Sequence, residues 1–250
     1  PVRAQTGWNW SGRNDCFRLA PEEYGGVELH DDAVIDCGWD VTKRLTIPEN
    51  LKSGVYAIRL RAGDGTGLGE EYLVFFVRAK TPKAPIAYLI PTASYLAYAN
   101  ARLTFDAEMA QPIVGQTPIV SEIDIEVYQN PEFGMSTYDR YRDGAGVCYS
   151  SYRRPIVDMR PKYRNPMTGV TWQFAADLSI LAWLEHCNYD YEVLTDEDLH
   201  RDGVDAVSSY KCVITGTHPE YYSETMLDAT EDFVAGGGRL IYMGGNGYYW

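Results

Sequence analysis

A chain of 250 residues, 45% hydrophobic and 23% charged, holds one large or two small domains and is long enough to bury a real core. Its net charge of -13 argues against a nucleic acid partner, which needs a clustered basic surface, and no apolar run approaches the length of a membrane span. Five scattered cysteines, Cys16, Cys37, Cys148, Cys187 and Cys212, make no CxxC pair, and reduced thiols in a cytosol are the simplest reading.

Residues 1–80 read as β structure. Two runs rich in Val, Ile, Leu, Tyr and Phe, 55–61 and 70–78, flank glycine-rich turn material and predict a hairpin with a loose loop. Upstream, 28–32 and 39–48 offer further short strands, consistent with the end of an antiparallel, Ig-like β-sandwich. His30 beside Asp31 and Asp32 has a metal-site composition, but exposed acidic loops of this kind are far commoner. The proline-bounded stretch 81–85 is linker by composition, which puts a domain boundary there.

Residues 86–250 read differently. An apolar strand over 86–90 is followed by Pro91, Thr92 and a loop over 94–100. Residues 101–170 carry Pro112, Pro118, Pro131, Pro155, Pro161 and Pro166 with a dense mixture of tyrosine and arginine. Such a segment is either a functional loop or a surface cover, and composition leaves both readings open. Phe174, Leu178, Leu181 and Ala182 form a helical stripe up to His186. A strand over 191–194 precedes a loop over 195–198, and a strand over 212–215 precedes the loop holding His218 and Glu220. Met226, Leu227, Thr230, Phe233 and Val234 recur at helical spacing until Gly236, Gly237 and Gly238, after which a strand over 240–243 leads into Gly244–Gly247. Strands with helices between the later ones predict an α/β domain with a mainly parallel sheet, whose strand order is not readable. The chain begins without Met and stops just beyond a strand, so the expectation is a piece of a longer polypeptide with this domain truncated at its C-terminus.

A strand, crossover helix, strand unit is parallel and right-handed, so the His218 loop and the Asn246 loop leave the same carboxyl edge, where open α/β sheets bind ligands. His218, Glu220 and Asn246 are therefore candidates for one pocket. Blander roles stay open: Glu220 as a loop carboxylate bonded to amides, His218 as a helix cap, Asn246 as a residue tolerant of left-handed backbone. HisProGlu matches half of a zinc deaminase signature whose PCxxC half is absent, and neither HExxH nor GxGxxG after a strand occurs. Cys212 opens a strand and Cys187 ends a helix, so neither sits where a nucleophilic thiol belongs.

Several long stretches carry a resemblance. Thr217–Tyr221, Met243–Trp250, Tyr95–Asn100 and Asp143–Val147, with Ser53–Ala57 and Glu71–Arg78 upstream, are similar to the large (beta) subunit family of N,N-dimethylformamidase. The resemblance implies a β-sandwich followed by a fold like that of class I glutamine amidotransferases. It implies hydrolysis of a small amide substrate, dimethylformamide, to formate and dimethylamine at one ferric iron (Fe3+) held by two tyrosines and a glutamate. Carried over, the glutamate falls on Glu220 and the tyrosines on Tyr98 and Tyr138, with Tyr95 and Tyr141 as rivals. His218 and Asn246 match residues that line the family's site, and further family residues lie beyond Trp250. A hetero-oligomer with a small subunit and other large subunits is implied too.

The chemistry of that set is coherent. Phenolates and a carboxylate are hard oxygen donors suited to a ferric ion, whose charge lets tyrosine ionise below its free pKa of about 10. The iron would serve as Lewis acid and water activator, His218 as proton shuttle and Asn246 as hydrogen-bond donor to the oxyanion. The rival readings are a family member hydrolysing a different amide and a metal-free scaffold that keeps the fold.

Overall fold

The computed structural model describes residues 2–12, 19–29, 36–61, 63, 69–102, 115, 117–141 and 145–248. Its first strands, β1 (Val2–Thr6) and β2 (Tyr24–Leu29), pair antiparallel. β3 (Gly54–Arg61) and β4 (Glu70–Val77) form a second antiparallel pair, in unbroken register from Gly54 opposite Val77 to Arg61 opposite Glu70. The two pairs share no ladder. The strand expected over 39–48 does not form. Trp39, Val41, Leu45 and Ile47 are exposed there, and a strand holds only where its backbone groups and one face find partners. The acidic cluster of His30, Asp31 and Asp32 lies outside the described residues.

From Ile86 onward the chain builds one parallel sheet, of β5 (Ile86–Ile90), β6 (Tyr191–Thr195), β7 (Cys212–Thr215) and β8 (Arg239–Ile241), in the order β6-β5-β7-β8. Their near-continuous apolar runs suit a sheet covered on both faces. Ala87, Leu89, Leu194 and Val213 point to one face, Tyr88, Ile90, Val193 and Ile214 to the other.

Five helices accompany the sheet among the described residues: α1 (Thr92–Tyr98), α2 (Glu122–Gln129), α3 (Phe174–His186), α4 (Asp196–Asp202) and α5 (Glu224–Ala235). Leu199 of α4 and Met226, Ala229 and Phe233 of α5 cover the first face. The other face receives Phe174, Leu181 and Leu184 of α3, and against the same cluster pack Val55, Val74 and Phe76 of the β3–β4 pair. The hydroxyl of Ser53, just before β3, accepts the Val193 amide of β6 at 2.9 Å. In the stretch before β5, the Lys83 and Ala84 amides donate to Glu192 at 3.0 and 3.3 Å.

Two segments expected as loops are helices. Residues 92–98 wind into α1 directly after Pro91, whose carbonyl accepts the Tyr95 amide at 3.1 Å. Thr195 opens α4 with a capping box, its side chain and that of Asp198 each accepting the other's backbone amide. A similar box of Ser121 and Asp124 starts α2 inside the proline-rich segment. No helix among the described residues is long and apolar enough to cross a membrane.

The strand order has a functional consequence. From β5 the chain first crosses to β6 on one side, then returns to β7 on the other, so the segments leaving β5 and β7 diverge. A crevice opens at such a reversal, outside the carboxyl ends of the strands.

Candidate functional site

α1 leaves β5 toward this crevice and ends at Tyr98, which is 9% exposed. The proline-rich segment is pinned beside it. Thr137 gives its amide (3.0 Å) and its hydroxyl (2.9 Å) to the Ala97 carbonyl. Asp139 accepts the amides of Ser136 and Arg102, each at 2.9 Å, which closes the turn around Tyr138. Asn100, left-handed at φ 60, donates to the Pro155 carbonyl (2.8 Å) and accepts the Val157 amide (3.0 Å). Held this way, the Tyr98 and Tyr138 rings stack with centroids 4.1 Å apart and planes 17° apart.

The segment leaving β7 is fixed by side chains of its neighbours. The Thr217 amide donates to Asp177 of α3 at 2.6 Å, and the Glu220 amide donates to the Ser94 hydroxyl of α1 at 2.9 Å. The loop after β8 lies against it at Gly245, where φ is +72. A Cβ there would stand 2.7 Å from His218 Nδ1 and 2.9 Å from the Thr217 carbonyl oxygen, so only glycine permits the approach.

These segments bring the sequence candidates together. The Tyr98 hydroxyl donates to Glu220 Oε2 at 2.7 Å, and the Tyr138 hydroxyl lies 3.4 Å from both carboxylate oxygens. His218 Nε2 is 2.9 Å from Oε2, and Asn246 Nδ2 is 3.4 Å from Oε1. The Tyr138 hydroxyl also meets that of Tyr221 in a short contact. Glu220 is 3% exposed. Burial opposes its ionisation, but hydrogen bonds from Tyr98, His218 and Asn246 outweigh this and hold the carboxyl below its usual range. Burial, reinforced by hydrogen bonds to Tyr138 and Glu220, pushes the Tyr98 phenol far above its usual value. The Tyr221 phenol is raised by burial and by Tyr138.

Of the rivals, Tyr95 is turned away: it is 1% exposed and its hydroxyl donates to Asp177. Among the described residues the side chains bonded to the Glu220 carboxylate are Tyr98, Tyr138, His218 and Asn246, and Tyr141 is not one of them. Four contributors escaped sequence reasoning. Ser94 and Asp177 anchor the Glu220 segment, Tyr221 reaches Tyr138, and Trp172 lies edge-on to the rings of Tyr98 and His218, at 4.7 and 5.6 Å between centroids. Tyr221, adjacent to Glu220, was the one with a local signal.

Among the described residues no three His, Cys, Asp or Glu side chains cluster as metal ligands; what converges here is two phenols on one carboxylate. A cavity of about 700 Å³ lies elsewhere, between the β3–β4 pair and residues 152–160, and none of the five site residues lines it.

Residues 2–250 match the family described as N,N-dimethylformamidase beta subunit-like, C-terminal. Two relatives, both named N,N-dimethylformamidase beta subunit, come from Paracoccus aminophilus (44% identical) and Alcaligenes sp (43% identical), each over 253 residues. Each alignment covers 100% of this chain and 32% of the relative, so the chain spans about a third of the length of the relatives it matches. The chain belongs to the N,N-dimethylformamidase beta subunit-like, C-terminal family.

Proposed function

We propose that this chain carries the iron centre of an amide hydrolase that cleaves small N-substituted formamides, taking dimethylformamide to formate and dimethylamine. The observation that carries the reading is the convergence of the Tyr98 and Tyr138 hydroxyls on the buried Glu220 carboxylate, in the crevice between β5 and β7. The name shared by the relatives supports the substrate. The word subunit in that name also supports assembly with other chains, and the proposal takes these to be a small subunit and further large subunits. The parallel sheet supports a glutamine-amidotransferase-like fold, and the β3–β4 pair the end of an Ig-like sandwich.

The donor chemistry fits the ion: phenol and carboxylate oxygens are hard ligands, and Tyr98, Tyr138 and Glu220 would hold one Fe3+. When bound, the ion supplies positive charge that favours phenolate and polarises an amide or water beside it. Asn246, whose Nδ2 faces the Glu220 carboxylate, is suited to donate to the amide oxygen as negative charge gathers there. Water adds its oxygen to the carbonyl carbon and the C–N bond breaks. The amine leaves only if its nitrogen gains a proton. His218 Nε2 faces the same carboxylate and is suited to take a proton from the water and deliver it to that nitrogen. Trp172, edge-on to Tyr98 and His218, supplies an apolar wall for N-methyl groups.

The test is elemental analysis and formate release on the intact protein, with Glu220→Ala beside it. The reading expects bound iron with a tyrosinate-to-iron visible band in the wild type, and loss of iron, band and turnover in the variant. A colourless, iron-free and inactive wild type would remove it. A panel of larger amides then separates dimethylformamide from another amide as the substrate.

A further inference from the structure

α3 reaches the site twice. Trp172, before its first turn, meets the rings of Tyr98 and His218. The backbone between is strained: Gln173 holds φ 46 and ψ -121, a region left mostly to glycine, and its carbonyl accepts the amides of Ala176 (2.9 Å) and Asp177 (2.8 Å).

Asp177, in the first turn, is 1% exposed. Its Oδ1 accepts the Tyr88 hydroxyl at 3.0 Å and the Thr217 amide at 2.6 Å, and its Oδ2 accepts the Tyr95 hydroxyl. A buried carboxylate is costly unless its oxygens are bonded, and here three donors from three different segments satisfy it. They come from β5, from α1 and from the segment after β7. Tyr95 lies one helical turn before Tyr98, and Thr217 lies three residues before Glu220, so one carboxylate grips the carriers of two of the three proposed iron donors. The segment also passes hard against it. A Cβ on Gly216 would lie 2.3 Å from Pro91 Cδ and 3.1 Å from Asp177 Oδ2.

We propose that Asp177 is a positioning residue, which sets the separation of Tyr98 from Glu220 by holding Tyr95 and Thr217 on one carboxylate. Asp177 touches no reacting atom in this scheme and acts through the two segments it joins. The proposal rests on the iron-centre reading for its functional meaning, but its structural part can be read without iron.

The experiment compares Asp177→Ala, Asp177→Asn and Leu184→Ala in the intact protein. Leu184 is a control in the same helix, 1% exposed in the apolar cluster. Three quantities are read well below each variant's melting temperature: amide exchange of the 213–222 peptide, iron retained against a chelator, and kcat separately from KM. Asp177→Ala is expected to lose protection at 213–222 and to hold iron about 10- to 100-fold more weakly, the usual cost of removing a group that orients a ligand. Asp177→Asn keeps an acceptor for the Thr217 amide and is expected to recover part of both. Leu184→Ala is expected to melt earlier with protection and iron intact. Losses in the aspartate variants no larger than in Leu184→Ala, or an asparagine variant no better than alanine, would overturn the proposal. Should Asp177→Ala fail to fold, Asp177→Asn against Leu184→Ala decides by the same comparison. A wild type that binds no iron refutes the iron centre, while exchange at 213–222 still decides for or against the grip of Asp177.

Discussion

Thr137 hands both its amide and its hydroxyl to the carbonyl of Ala97, and so ties the turn that bears Tyr138 to the end of the helix that bears Tyr98. Since each of these residues directly precedes a tyrosine, the paired bonds fix how the two phenol rings overlap. Thr137→Val keeps the shape and the amide bond and removes the hydroxyl bond. Thermal unfolding is expected to show a loss of about 1 kcal/mol, and iron titration a weaker site.

His218 and Asn246 face the same carboxylate and should separate kinetically. Asn246→Ala is expected to lower kcat by about 10²- to 10³-fold at nearly unchanged KM, because its donor matters as charge develops. His218→Ala is expected to lower kcat by about 10²- to 10⁴-fold and to retain iron, the difference being the missing proton carrier. Steady-state kinetics with elemental analysis tests both, and loss of iron in His218→Ala would mark it as a ligand instead.

Gly245→Ala should push apart the two loops that hold His218 and Asn246. Its Cβ would sit within 2.9 Å of the Thr217 carbonyl oxygen and His218 Cα, on a backbone already at φ +72. Because the position is exposed, the segment can shift outward. Calorimetry should record a small change in melting temperature, while turnover falls sharply.

Asp158 offers a pH dependence separate from the site. Burial, only partly offset by its own and the Asn100 amides and by the Arg154 charge, pushes its carboxyl up to about 7. Its Oδ1 has no hydrogen-bond partner among the described residues. The folded state thus keeps a proton that the unfolded chain releases near the ordinary value of 3.8. The contribution to stability is full below that value and is lost as pH rises toward 7. Asp158→Asn should remove this decline, so the melting-temperature difference between variant and wild type should grow in the variant's favour from acid to neutral pH.

How much of this could be read from residues alone depended on range. The strands β5, β6 and β7 and the helices α3 and α5 announce themselves by apolar runs and by 3.6-residue spacing. The short helices α1 and α4 do not: seven residues give too few turns for a period to show, although Thr195 and Asp198 did form a readable cap. The strand expected at Trp39–Pro48 failed for the opposite reason, since alternation was present and no partner strand lies beside it among the described residues. The meeting of His218, Glu220 and Asn246 at one sheet edge followed from topology. Tyr98 and Tyr138 followed only from resemblance, because their meeting depends on Thr137 and Ala97, 40 residues apart. Asp177 left no trace in the sequence, since an acidic residue in the first turn of a helix is common at exposed helix starts and looks solvent-facing until three donors are found around it.

Val193 sits on β6, at the margin of the parallel sheet, and a margin strand turns a row of main-chain donors outward. Ser53 takes one of those donors, and the β3–β4 pair leans its apolar side on the helix-covered face next to it. The hairpin thereby acts as a bumper along that border, leaving less of it open for a foreign strand to zip onto. Clipping the hairpin away should make the remaining protein prone to self-association long before it disturbs the crevice on the far side of β5.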